Sequence, residues 1–140
     1  ALELKFDVLK KLTYAGIMSY DEIDGDDLPF YVLNELGGSR SLRGYRHGRF
    51  YGAYRLSSVN ELRWHAFDFD RFGFNTKWEI AAFLDYGMVA DDRSDFAAHR
   101  LRVAGGVGIR THFAKDVLTR IDVGFGEEGM RVYVDFGYPF

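Results

Sequence analysis

Cysteine is absent from the 140 residues, which excludes disulfides, thiolate nucleophiles and cysteine-ligated metal sites. Long apolar runs are missing too. The longest, Ile80 to Leu84, has 5 residues, against the roughly 20 that a membrane-spanning helix needs. Charge of one sign is not in excess: 18 Lys and Arg face 21 Asp and Glu, a formal net charge of -3. Such a balance gives no global pull toward nucleic acid or anionic lipid, and no nucleic-acid partner is expected. No basic-then-apolar leader is visible, so a secretory signal, if the protein has one, is expected outside these residues. Proline is scarce at 2 residues, whereas Gly reaches 16, Phe 13 and Tyr 9. That balance points to extended structure and away from helices.

Hydrophobicity alternates with period two along most of the chain. Met130, Val132, Val134, Phe136, Tyr138 and Phe140 oppose Arg131, Tyr133, Asp135 and Gly137. Val117, Thr119, Ile121, Val123 and Phe125 oppose Leu118, Arg120, Asp122 and Gly124. Leu101 to Phe113, Asn75 to Met88, Tyr51 to Phe67 (less cleanly), Leu12 to Tyr20 and Leu2 to Val8 complete seven expected strands.

A soluble sandwich alternates as well, and a soluble barrel binding a small apolar ligand remains an open reading. Strand length and loop asymmetry favour an antiparallel transmembrane β-barrel. The longer expected strands exceed the globular norm of about five to six residues and suit the roughly nine to eleven that cross a bilayer at a tilt. The connections Leu9 to Lys11, Asp68 to Phe74 and Ala114 to Asp116 are short, while Asp21 to Phe50 and Val89 to Arg100 are long. Long loops on one side and short turns on the other are the habit of such barrels, although Gly126 to Gly129 is a short exception. Tyr51, Phe67, Tyr86, Phe113, Phe125, Tyr138 and Phe140 lie near expected strand ends, as interfacial aromatics would. Bacterial barrels close with an even strand number of at least about eight. Residues 1–140 are therefore expected to be one portion of a larger barrel, with a long lumen-directed loop at about 21–50.

That loop starts acidic (Asp21, Glu22, Asp24, Asp26, Asp27) and ends basic (Arg40, Arg43, Arg46, His47, Arg49). Its centre reads Gly37-Gly38-Ser39-Arg40-Ser41-Leu42-Arg43-Gly44-Tyr45. This resembles the loop motif of the BamA-like outer-membrane superfamily: paired glycines, then an aliphatic residue, Arg-Gly and an aromatic. Downstream, Glu61 stands where the family has a strand glutamate, and Phe83-Leu84-Asp85-Tyr86-Gly87 matches its aromatic-x-Asp-x-Gly strand. Gly105, Gly106 and Gly108 match the next, glycine-rich strand, and Val132 to Phe140 matches the terminal-aromatic signal. The likeness runs from about Leu28 to Phe140.

The resemblance implies the last seven strands of a sixteen-stranded barrel in the outer membrane of a Gram-negative bacterium. It implies an assembly factor that inserts and folds other β-barrel proteins, or alternatively a translocation pore of the two-partner-secretion or patatin-linked kind. Its implied partners are the lipid bilayer, unfolded outer-membrane proteins, and periplasmic domains and accessory lipoproteins outside this chain. Neither a cofactor nor an enzymatic activity is implied.

Particular residues carry sharper expectations. Glu61 and Asp85 fall on the polar, inward side of neighbouring strands, and a guanidinium fork can engage two carboxylates at once. In the family the loop arginine is held at these two positions, which implies a lumenal clamp by Arg43. Gly124 to Gly129 satisfies G-x-G-x-x-G, but an alternating strand follows instead of a helix, so it reads as a hairpin turn. His47, His65, His99 and His112 are scattered without an i,i+4 pair, and Asp91, Asp92 and Asp95 read as a solvated loop, so no metal is expected. No G-x-S-x-G elbow or nucleophile–base pair occurs. Pro139 cannot donate to a sheet ladder, and Gly137 adds backbone freedom. With Phe140 as a terminal anchor, these residues suit a weak first-to-last seam.

Overall fold

A computed structural model of the chain describes residues 1–25, 29, 31–71, 74–113 and 117–137. Among them the fold is all-β, with no α-helix and two single-turn 3-10 segments in one loop. Strands β1 (Leu2–Leu9), β2 (Leu12–Glu22), β5 (Tyr54–Arg71), β6 (Phe74–Ala90), β7 (Arg102–Phe113), β8 (Val117–Gly126) and β9 (Gly129–Phe136) form one antiparallel sheet. Its order is β1-β2-β5-β6-β7-β8-β9, so every neighbour is the next long strand in the chain. The sheet is open, with β1 and β9 at its edges. Two short strands, β3 (Asn34–Leu36) and β4 (Phe50–Gly52), pair with each other inside the long loop.

The seven expected strands are present, with altered ends. Tyr51 and Gly52 belong to the loop hairpin, and β5 starts only at Tyr54. Tyr51 is therefore a loop residue and not a strand-end aromatic. The expected turn from Asp68 to Phe74 shrinks, because β5 runs on to Arg71 and β6 begins at Phe74. These two strands have 18 and 17 residues, about 55–60 Å at strand rise. Strand β9 ends at Phe136, and Gly137 after it is a bend. Tyr138, Pro139 and Phe140 lie outside the described residues, as do Asp26, Asp27 and Leu28 in the loop.

Burial is inverted relative to a water-soluble sheet. Leu84 and Val107 are each 54% exposed and Val132 58%, while Arg43, Asp85, Arg110 and Asp122 are at 0%. One face thus carries aliphatic and aromatic side chains outward: Ile80, Leu84, Val103, Val107, Ile109, Ile121, Phe125, Val132, Val134 and Phe136. Ionised groups fill the other face. No helix among the described residues is long and apolar enough to cross a membrane, a fact that leaves crossing by strands untouched.

A β-bulge explains why Tyr51 to Phe67 alternates poorly. His65 pairs with Glu79 and Phe67 with Trp78, so Ala66 is an extra residue on β5. One inserted residue flips every later side chain to the opposite face. Trp64 and Phe67 both point outward as a result, and Phe67 stacks on Trp78 at 5.8 Å. Asn60, a polar residue on the outer face, is satisfied locally. Asn60 accepts from the Tyr14 hydroxyl at 2.7 Å and donates to the Leu84 carbonyl at 3.1 Å and to Ser58 Oγ at 3.0 Å.

Candidate functional site

The long loop folds over the polar face as a small structure of its own. Gly37 and Gly38 have φ of 126° and 92°, a region in which side chains with a Cβ are disfavoured. They start a turn in which Leu42 N–H donates to the Gly38 carbonyl at 3.2 Å and Gly38 N–H to the Tyr45 carbonyl at 3.1 Å. Leu36, Leu42, Tyr45 and Ala104 then form a small apolar core, flanked by Phe50 and Val89. This core fixes the loop against β6 and β7 and aims Arg43 at the sheet.

The Arg43 guanidinium grips Asp85 side-on, with Nε to Oδ2 and Nη2 to Oδ1 both at 2.7 Å. Its Nη1 donates to Glu61 Oε2 at 2.8 Å, and its backbone N–H donates to Asp85 Oδ2 at 3.1 Å. The Phe83 ring lies beneath, 3.6 Å from the guanidinium carbon to the ring centroid, close enough for a cation–π contribution. All three charged side chains are fully buried. Burial alone would depress the Arg43 pKa, but the Asp85 hydrogen bonds and the facing carboxylates raise it above its ordinary value. Arg43, Glu61 and Asp85 are thus brought together as the loop motif implied.

The cluster extends further than the sequence suggested. Glu61 Oε1 also accepts from Arg63 Nε and Arg110 Nε, each at 2.9 Å. Arg110 Nη1 lies 2.7 Å from Asp122 Oδ1, and Asp122 Oδ2 lies 3.6 Å from both Arg43 and Arg120. Arg120 Nη2 donates to Asp135 Oδ2 on β9 and to the Ser39 carbonyl in the loop, each at 2.9 Å. Arginines and carboxylates therefore alternate from β5 across to β9. Glu61, Arg120, Asp122 and Asp135 fall on the polar side of the alternation; their three-dimensional pairing is set by strand register, which alternation does not reveal.

Glycines make room for this packing. A Cβ at Gly108 would stand 2.0 Å from Asp122 Oδ1, and one at Gly106 would stand 2.5 Å from the Phe83 ring. The G-x-G-x-x-G segment is the β8–β9 hairpin, and two of its glycines, Gly124 and Gly126, are the seat of the loop. A Cβ at Gly124 would meet Gly44 N at 2.8 Å, and one at Gly126 would meet the Tyr45 ring at 2.8 Å. Gly44, at φ 110°, completes the close approach.

Alternation places Tyr133 on the polar face of β9 and says nothing of its partners. Its hydroxyl accepts from Gly44 N–H at 3.0 Å and donates to the Tyr45 carbonyl at 2.6 Å. Of the three seam residues, Gly137 alone is described. Its φ of 93° and its N–H bond to the Leu118 carbonyl at 2.9 Å define a fixed bend. Glycine suits that conformation, which side chains with a Cβ rarely adopt. Pro139 and Phe140 lie outside the described residues.

No His, Asp or Glu group among the described residues is arranged to hold a metal ion. No family model matches the chain, and neither does any curated protein or solved structure.

Proposed function

We propose that this chain is the C-terminal barrel region of a BamA-like outer-membrane protein that inserts and folds other β-barrel proteins. One observation carries the reading: an apolar, exposed outer face backed by a buried ionic cluster on the inner face. Water penalises that arrangement and a bilayer rewards it, since apolar area leaves water at about 25 cal/mol per Å². Outward polar groups cost several kcal/mol in lipid unless satisfied, and Asn60 has its partners within the sheet. The Arg43 clamp supports the family reading, because it joins the three residues that the resemblance paired. In this reading the loop braces the lumen. The seam beside β9 opens, and a free strand edge templates an incoming strand through main-chain hydrogen bonds. Strand pairing and lipid burial drive the step, with no nucleotide or cofactor.

The test is reconstitution of the parent protein in phospholipid vesicles with an unfolded barrel client. Faster client insertion than in empty vesicles is expected. Steady ion conductance without any acceleration of insertion would favour a translocation pore. A chain that stays folded and monomeric in plain buffer would overturn both membrane readings and favour a soluble barrel.

A further inference from the structure

The loop and the edge strand β9 are joined by a pair of ties that the clamp itself does not require. In the first, the Tyr133 hydroxyl bridges two successive backbone groups, Gly44 N–H and Tyr45 C=O, at 3.0 and 2.6 Å. The second is the Arg120 guanidinium, which donates at 2.9 Å both to Asp135 on β9 and to the Ser39 carbonyl. Tyr133 and Asp135 share the inward face of β9, two residues apart, and β9 has a strand on its β8 side only. An edge strand with a single ladder is the easiest strand of a sheet to displace. Here its inner face is bonded to the turn that carries Arg43.

We propose that Tyr133 is a positioning residue that makes release of β9 and release of the Gly44-Tyr45 turn a single event. Moving β9 away breaks both hydroxyl bonds, which strips the buried Gly44 N–H of its Tyr133 partner and leaves the Tyr45 carbonyl with the Gly38 N–H alone. Unseating the turn removes the inner support of β9. Coupling of this kind is reciprocal: whatever loosens one end must loosen the other. The functional weight of the tie rests on the seam reading above. The tie is read by amide exchange and the seam by client insertion, so the two can fail separately.

The experiment is hydrogen exchange followed by mass spectrometry on the reconstituted protein. Tyr133→Phe keeps the ring and deletes the hydroxyl. Exchange is expected to quicken about tenfold, the equivalent of one net hydrogen bond, in segments 38–46 and 130–136 together. The reverse arm is decisive. Arg43→Lys removes the planar fork from a residue whose side-chain hydrogen bonds and ion pairs go to Glu61, Asp85 and Asp122 on β5, β6 and β8, and 130–136 should still quicken. Asp135→Asn cuts only the second tie and should produce a smaller change in the same two segments. Tyr86→Phe, on the outer face, serves as the control. Acceleration of 38–46 alone in Tyr133→Phe, or unchanged exchange of 130–136 in Arg43→Lys, would overturn the proposal.

Discussion

Replacing Arg43 by alanine should destabilise the fold chiefly through one carboxylate, and the structure says which. Three side-chain hydrogen bonds disappear, two to Asp85 and one to Glu61. Glu61 keeps Arg63 and Arg110 at 2.9 Å. Asp85 keeps the backbone N–H at position 43 and no other cation within ion-pair distance among the described residues. Removing one partner of a buried pair costs about 3–5 kcal/mol, because the remaining charge is stranded. Most of that loss should therefore sit in the Arg43–Asp85 coupling. In double-mutant cycles by urea unfolding of the reconstituted protein, Arg43→Ala with Asp85→Ala should give a coupling of about 2–3 kcal/mol. Arg43→Ala with Glu61→Gln should give about 1 kcal/mol or less, since two arginines still hold that position. Equal couplings, or a larger one for Glu61, would refute the reasoning.

Other outcomes follow from the same geometry. Gly44→Ala should lift the loop, since its Cβ would stand 3.0 Å from Gly126 N at a φ of 110°; a rise in protease cleavage between Gly37 and Arg49 measures it. Gly108→Ala should separate Arg110 from Asp122, whose Oδ1 would lie 2.0 Å from the new Cβ, and lower the urea midpoint, whereas Gly105→Ala, with its nearest atom at 3.5 Å, should leave the midpoint nearly unchanged. Gly137→Val should weaken the terminal bend, because valine disfavours φ 93°; a higher melting temperature for this variant would contradict that. Residues 1–140 expressed alone should not give a closed, heat-modifiable monomer, because β1 and β9 are both edges; electrophoresis without boiling reads the result.

Period-two alternation made the seven strands and their two faces legible, since each strand crosses the sheet once with one side apolar. It failed where the period itself broke. The extra residue at Ala66 shifts the register of β5, so Phe67 and Phe69 look misplaced until the bulge is recognised. Strands β3 and β4 have 3 residues each, too few to display a period, and they were absorbed into the loop. Arg43, Glu61 and Asp85 could be grouped because a motif linked them. Arg110 and Asp122 could not, because their meeting depends on the register of β7 against β8, nor could Tyr133, whose partners are backbone groups of the loop. The small residues Gly106, Gly108, Gly124 and Gly126 were the available signal. Glycines recurring on the inward face of adjacent strands leave space that something else must fill.

The outward apolar face is the central claim, and the absence of cysteine makes it directly measurable, since any introduced thiol is unique. Single nitroxide labels at Leu84, Val107, Ile121 and Val132 would probe the outer face, and labels at Ser19 and Ser57 the inner one. In phospholipid vesicles, relaxation of the outer labels should be dominated by dissolved oxygen, and that of the inner labels by a water-soluble nickel chelate. Outer labels that respond more strongly to the nickel chelate than to oxygen would contradict the lipid-facing assignment, and the proposed barrel with it.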